Sequence, residues 1–275
     1  LLKLGRALMF AEELKRVFRR PRNIIILGLI ALVPILLGVV VRFASHGGPR
    51  GGGSAFFAEI TQNAVFLPLA ALASMETLIL PLAASIIAGD SVAGDAANGS
   101  LRYLLVRRVP RSRIIHAKMV AALVYTLALG LVIAIVGLVA GAILFPHHQV
   151  VTLSGLSISF VHGVLEALLA ALVVGASIFS VTMVGIAVST FTSSSLAATS
   201  IAVTVAIASE VLDAIPQLEK IRPILLSNYW SAFINIFRSP ILAGPIYKDL
   251  LEQLGWMAVF YLLAVFNFSQ RDITA

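Results

Sequence analysis

The chain has no cysteine among its 275 residues. That excludes disulfides, thiolate metal sites and a cysteine nucleophile. Charge is scarce as well. Asp, Glu, Lys and Arg make up 12% of the residues, hydrophobic types make up 59%, and the mean hydropathy is +1.00. Soluble domains of ordinary composition do not read this way. The HExxH, GxSxG and Walker A motifs are missing too, so the sequence offers no catalytic constellation and no means of hydrolysing ATP. A Gly-rich run, GGPRGGG at 47–53, lacks the Lys-Ser/Thr and the flanking strand of a phosphate loop and reads as a flexible linker. If the chain moves a solute uphill, energy must come from a partner or an ion gradient.

What is present is a succession of apolar runs, enough for six spans of about twenty residues. Residues 3–20 come first, with Leu4, Ala7, Leu8, Ala11, Leu14 and Phe18 at helical spacing and Lys3, Arg6, Glu12, Glu13, Arg16, Arg19 and Arg20 mostly off that stripe. The pattern predicts an interfacial amphipathic helix over residues 1–22, its basic face toward anionic headgroups, broken at Pro21. A basic start before an apolar run has the order of a signal peptide, but with five later spans it reads as a retained first span. The spans are expected at 24–43, 64–88, 115–145, 160–190, 196–215 and 254–268. Pro34 should kink the first. Gly137 and Gly141 give the third a small-xxx-small face for close packing. Residues 55–63 suit a short interfacial helix. In 216–250, Trp230, Phe233, Ile234 and Phe237 form an i, i+3, i+4, i+7 stripe between prolines, which suits a short helix lying in or dipping into the interface.

Charge sets the expected orientation. Seven Lys/Arg lie in residues 1–23 and six in 89–118, against two in the link after span one and four in 216–250. This predicts both termini and the 89–118 segment on the cytosolic side. The formal net charge of +7 is therefore a topology signal, and no nucleic-acid partner is inferred from it.

The 89–118 segment, GDSVAGDAANGSLRYLLVRRVPRSRIIHAK, has internal order. Ser100 can N-cap a short helix that places Leu101, Leu104 and Leu105 on one face and Arg102, Arg107 and Arg108 elsewhere, with Pro110 as its stop. Such a helix, tied to two spans, is suited to receive a push from a soluble partner. Asp95 four residues before Gly99-Ser100, the Leu-rich stretch, Pro110, Ser112-Arg113 and Lys118 together resemble the loop of ABC-2-type exporter permeases. That family usually has Glu and Thr where Asp95 and Ser100 stand, changes that keep the chemistry. The ending Phe268-Ser269-Gln270-Arg271-Asp272 is similar to the family's aromatic followed by Arg-Asp.

The resemblance implies an all-α, six-span permease domain over 23–275 in the plasma membrane, most simply a bacterial or archaeal cytoplasmic membrane. It implies a second permease subunit, identical or related, and a re-entrant helix in 216–250. It also implies separate ATPase subunits that carry ATP and Mg, with no cofactor in this chain. The coupling residues it points to are Asp95, Gly99, Ser100, Leu101, Leu104, Leu105, Arg107, Arg108, Pro110 and Arg113. The rival class is an ion-gradient carrier using Glu76. Such carriers show inverted repeats, and no convincing repeat is visible.

Three acids stand in the spans. Glu76, near the middle of the second, costs at least ~3 kcal/mol to insert as a carboxylate. It reads either as a pathway residue or as a structural hydrogen-bonded acid. Glu166 and Glu210 lie nearer the outer surface, where a structural role is favoured, with Glu166 a second pathway candidate. His147, His148 and His162 with Glu166 make a weak metal-ligand pattern. Four such residues near one span end arise by chance, and no metal site is assigned.

Overall fold

The computed structural model describes residues 2–46, 63–99, 110–146 and 148–270. Their regular structure is helical apart from one small ribbon. In chain order the helices are α1 (Leu2–Arg19), α2 (Pro21–His46), α3 (Phe66–Glu76), α4 (Ile79–Ala97), α5 (Arg111–Leu144), α6 (Phe160–Phe191), α7 (Ser195–Asp213) and α8 (Ala243–Gln270). The ribbon β1 (Val150–Val151) and β2 (Ser157–Ile158) precedes α6, antiparallel with Val150 opposite Ile158. Among the described residues, α2, α4, α5, α6, α7 and α8 are long and apolar enough to cross a membrane. The chain is an all-α, multi-pass membrane protein by length and composition of its helices.

Local signals account for the boundaries. Pro21 takes the first position of α2, where its missing N–H removes no bond. The helix then runs through Pro34 to its end. Ser159 and Ser194 each accept a hydrogen bond from the backbone N–H three residues on, capping α6 and α7. Gly99 sits just past α4 with φ +68°, the left-handed position that ends many helices.

α6 is the centre of the bundle, with 78% of its most apolar window buried, against 22% for α2 and α7 and 17% for α8. The outer helices turn Leu29, Phe43, Leu196, Val211, Leu254 and Phe266 outward, a surface that lipid solvates and water does not. Inside, backbones approach closely. A Cβ added at Gly130 would meet the Ala171 carbonyl, and one at Gly175 would meet the Leu127 backbone, so α5 and α6 pack at near contact. The Gly137 and Gly141 face is used similarly. It receives Pro68 of α3 and the carbonyl of Ala64.

Four boundaries differ from the sequence expectation. The second span is not one helix, because α3 ends at Glu76 and α4 begins at Ile79. Pro81 explains the break: it lacks the N–H that the Thr77 carbonyl would accept from, and its ring crowds that carbonyl. The 89–118 segment is not a loop over its whole length, since α4 continues to Ala97 and α5 begins at Arg111. The buried side chains of Val92, Ala93 and Asp95 extend the helix past the apolar run. The last span begins at Ala243 with Pro245 in its first turn, so Lys248 and Asp249 lie on helix. Finally, Trp230–Phe237 is a 3₁₀ helix whose Trp230, Phe233, Ile236 and Phe237 are buried against the bundle. Its period of three brings Ile236 inward, in place of the Ile234 that an α-helical stripe predicts. The 55–62 part of the expected interfacial helix and the 100–109 part of the coupling helix lie outside the described residues.

Candidate functional site

The described residues hold two polar clusters that a lipid-facing bundle must have reason to keep. The first joins α1 to the ends of the 98–110 connection. Glu13, Arg16 and Arg20 recur at helical spacing and share one face of α1. Asp90 and Asp95 come from the last turns of α4, and Lys118 from the second turn of α5. Asp95 is 1% exposed and Lys118 is 4% exposed. The Lys118 Nζ lies 2.5 Å from Asp95 Oδ2 and 3.4 Å from Glu13. Arg16 Nη1 donates to both Asp95 oxygens at 2.9 and 3.0 Å, and Arg20 Nη2 reaches Asp95 Oδ1 at 3.3 Å. Arg20 also pairs with Asp90, which takes Arg22 at 3.0 Å and the Ser195 hydroxyl at 3.0 Å.

Three carboxylates thus meet four cations, and Asp95 is the hub. Tyr125 locks the arrangement by donating to the Asn23 carbonyl at 2.8 Å while its ring packs 5.3 Å from that of Phe18. A cavity of about 20 Å³ remains between Glu13, Arg16, Arg20, Ser91 and Lys118, enough for one water. Every charge in the site has an opposite partner, so removing a partner of Asp95 or Lys118 leaves a buried charge in low dielectric.

This cluster corrects one expectation about α1. Arg16 and Arg20 do not all turn to headgroups; they turn inward onto acids. Asp95 itself is buried, and it holds the start of the connection to α1 and α5. Gly99 ends α4, and Pro110 is exposed at the start of α5. Arg113 is half-buried one turn into α5, its N–H bonded to the Pro110 carbonyl at 2.9 Å. Ser100, Leu101, Leu104, Leu105, Arg107 and Arg108 fall outside the described residues. Arg111, which the sequence did not single out, donates to the carbonyls of Phe268 and Ser269 at 3.2 and 2.9 Å. It thereby satisfies the C-terminal end of α8 with a cation.

The second cluster lies within the bundle. Pro68 packs at Gly137 and Ala88 at Gly185, and Glu76 falls between these levels, at the break in α3–α4. It is 5% exposed, and its Oε1 is buried without a hydrogen-bond partner. Asp249, fully buried, is held by the Ser177 hydroxyl and by Gln253 Nε2 at 3.1 Å. Gln253 Nε2 also donates to the Leu226 carbonyl at 3.0 Å, while its Oε1 has no partner. Both oxygens of half-buried Glu252 and the indole N–H of Trp230 are likewise without hydrogen bonds.

Glu166, the other predicted pathway acid, is not in this cluster. It sits eleven residues before Ser177 on α6, about 16 Å along the axis, and pairs with His162 at 3.4 Å. His148 contributes its backbone carbonyl to Asn63 at 3.1 Å, and His147 lies outside the described residues. No group of three or more His, Asp or Glu among the described residues is set to hold a metal. The sequence pointed to Glu76 but missed Asp249 and Gln253, because the prolines before them made 216–250 read as a link. Their i, i+4 spacing was the available signal.

Residues 25–274 match the family described as Protein of unknown function (DUF2705), and the chain belongs to that family. No curated protein matches the chain.

Proposed function

We propose that the chain is the membrane-embedded permease subunit of an ATP-driven exporter. In this reading a pair of such subunits, identical or related, encloses the substrate pathway in a cytoplasmic membrane. Both termini face the cytosol. A separate ATPase subunit binds ATP and Mg and presses on the 98–110 connection, where the Leu101, Leu104 and Leu105 face would receive it.

The observation that carries the reading is the ion cluster at Asp95 and Lys118. These residues stand where the connection leaves α4 and soon after it enters α5, and both are bonded to α1. A push on the connection therefore cannot move one helix alone. It displaces α1, α4 and α5 together, which is what a coupling element must do to reshape a pathway. The absence of any nucleotide motif in the sequence fits a division of labour in which energy arrives through a partner.

The test is co-purification. Chain solubilised from its native membrane should carry an ATPase with Walker motifs. Leu104→Asp or Leu105→Asp should insert normally yet lose that ATPase or stop transport. Recovery of the ATPase by both variants, with transport unchanged, sinks the coupling assignment. A second reading, an ion-gradient carrier built on Glu76, draws support from the helix break beside a buried acid, a feature of secondary transporters. Uphill transport by the chain reconstituted alone would favour it.

A further inference from the structure

A cavity of about 330 Å³ opens between α2 and α5 on the outside of the bundle. Its lining is apolar throughout, with Ile35 and Val39 from α2 and Ile135, Val139, Ile143 and Leu144 from α5. Ile35, Ile135, Val139 and Ile143 are exposed, so this is a groove open to the bilayer and not an internal void. An unfilled apolar gap forfeits dispersion contacts along its walls, and a hydrocarbon chain restores them.

The length and depth of the groove match one leaflet. α2 and α5 lie side by side and run in the same direction. The Tyr125 hydroxyl donates to the Asn23 carbonyl at 2.8 Å, and farther along a Cβ at Gly38 would meet the Leu144 side chain. From Ile135 to Leu144 the groove is about 14 Å long, close to half of a bilayer core about 30 Å thick. Charge fixes its depth. α2 has no charged residue between Arg22 and Arg42, which stand about 30 Å apart along the helix. Arg22 is held at Asp90 beside the ion cluster, so Arg42 stands at the headgroup level of the opposite leaflet. Ile35, Val39 and Arg42 follow at i, i+4 and i+7 and share one face of α2. Arg42 is exposed, about one turn past Gly38 and the Leu144 it packs on, where the groove ends. An arginine at that depth lays its stem on apolar surface and its guanidinium in the headgroup layer.

An apolar groove one leaflet long, with a cation at its headgroup end, is complementary to an amphiphile with an anionic head. We propose that it seats an anionic glycerophospholipid of that leaflet, with an acyl chain between α2 and α5 and the headgroup at Arg42. Guanidinium takes phosphate through parallel N–H donors. A zwitterionic lipid brings the same phosphate together with a cation that Arg42 repels, so the selection is on net charge. Protein buries only 22% of the most apolar window of α2, and a lipid held here braces that helix against α5. The inference goes beyond the export reading and does not depend on an ATPase partner.

The test is native mass spectrometry of the full chain, without partner proteins, from mixed micelles. These hold phosphatidylglycerol and phosphatidylcholine with identical acyl chains in equal amounts. The wild type should retain one phosphatidylglycerol, about fivefold over phosphatidylcholine. Arg42→Gln should remove the preference. Val139→Trp, which fills the groove from its exposed side, should remove the retained lipid of either kind. Arg238→Gln, at another exposed cation, should behave as wild type. Equal retention of the two lipids by the wild type overturns the proposal. So does a full preference in Arg42→Gln or in Val139→Trp, and so does its loss in Arg238→Gln, which marks a general effect of surface charge. Should Val139→Trp fail to fold, Ile143→Trp, at a more exposed position of the same wall, takes its place.

Discussion

Removing the Lys118 ammonium probes the ion cluster most cleanly. Lys118→Met keeps the aliphatic stem but leaves Asp95, 1% exposed, without its nearest cation. Asp95 still has Arg16 on both oxygens and Arg20 at 3.3 Å. Arg16 is 38% exposed at its side chain, however, so its contribution is partly screened. Breaking a buried pair costs about 3–5 kcal/mol, and the surviving arginines place this variant near 3. For a chain of this size the melting midpoint should fall by at least about 6 °C. Asp95→Asn should cost more, because it leaves Lys118, Arg16 and Arg20 crowded without their common acid. The double variant should cost less than the two single costs added, with a coupling of about 1–3 kcal/mol. The assay is thermal unfolding of the purified chain in one detergent at two ionic strengths. Salt should weaken the arginine share and spare the buried pair. If Lys118→Met melts within 1 °C of wild type, to the order of the estimate, or if the two single costs simply add, the cluster is not the fastening described.

Three further outcomes follow from the geometry. In this cysteine-free chain, Gly52→Cys and Gln149→Cys should react with an impermeant thiol reagent on intact cells and Asn98→Cys should not; labelling at 98 reverses the orientation. Gly141→Val should lower the melting midpoint through a loss of about 1–3 kcal/mol, because its side chain meets the Ala64 carbonyl, while the same change at Gly28, which has open space around it, should be near neutral. Gly99→Ala should cost about 1 kcal/mol from the left-handed backbone alone, read as faster hydrogen exchange at the end of α4.

The spans were legible because composition dominates them. A run such as α6, apolar on nearly every side, can only be a buried or lipid-facing helix, and its predicted ends fall within one residue of Phe160–Phe191. The helix joints were less legible. Pro81 and Pro245 each open a helix, and proline in sequence does not announce whether it begins a helix or interrupts one. The charged residues were legible as unusual but not as pairs. Asp95 and Lys118 stood out through a motif, whereas Glu13, Arg16 and Arg20 looked like an ordinary basic helix face. Partners that lie 79 and 75 residues away from Asp95 carry no local signature, since the contact is made by packing. The same holds for Ser177 and Asp249, brought together across 72 residues.

α4 connects the two clusters, and its two ends are held in opposite ways. Its C-terminal end carries Asp90 and Asp95, gripped by ion pairs to α1 and α5. Its N-terminal end begins just after the break at Glu76, where helical hydrogen bonds are interrupted by Pro81. The nineteen residues of α4, Ile79–Ala97, span about 28 Å of helix, roughly the thickness of a bilayer core. Along that rod, Gly89 lies against the Thr199 backbone and Ala88 against Gly185, so α6 and α7 confine it sideways. A displacement applied at the Asp95 end has little room to dissipate across the rod. The joint at Thr77–Leu78 is the place where the backbone can absorb it, because bonds are already absent there. The unmatched Glu76 Oε1 stands at that joint, so whatever neutralises it also sets how firmly α3 and α4 are held together.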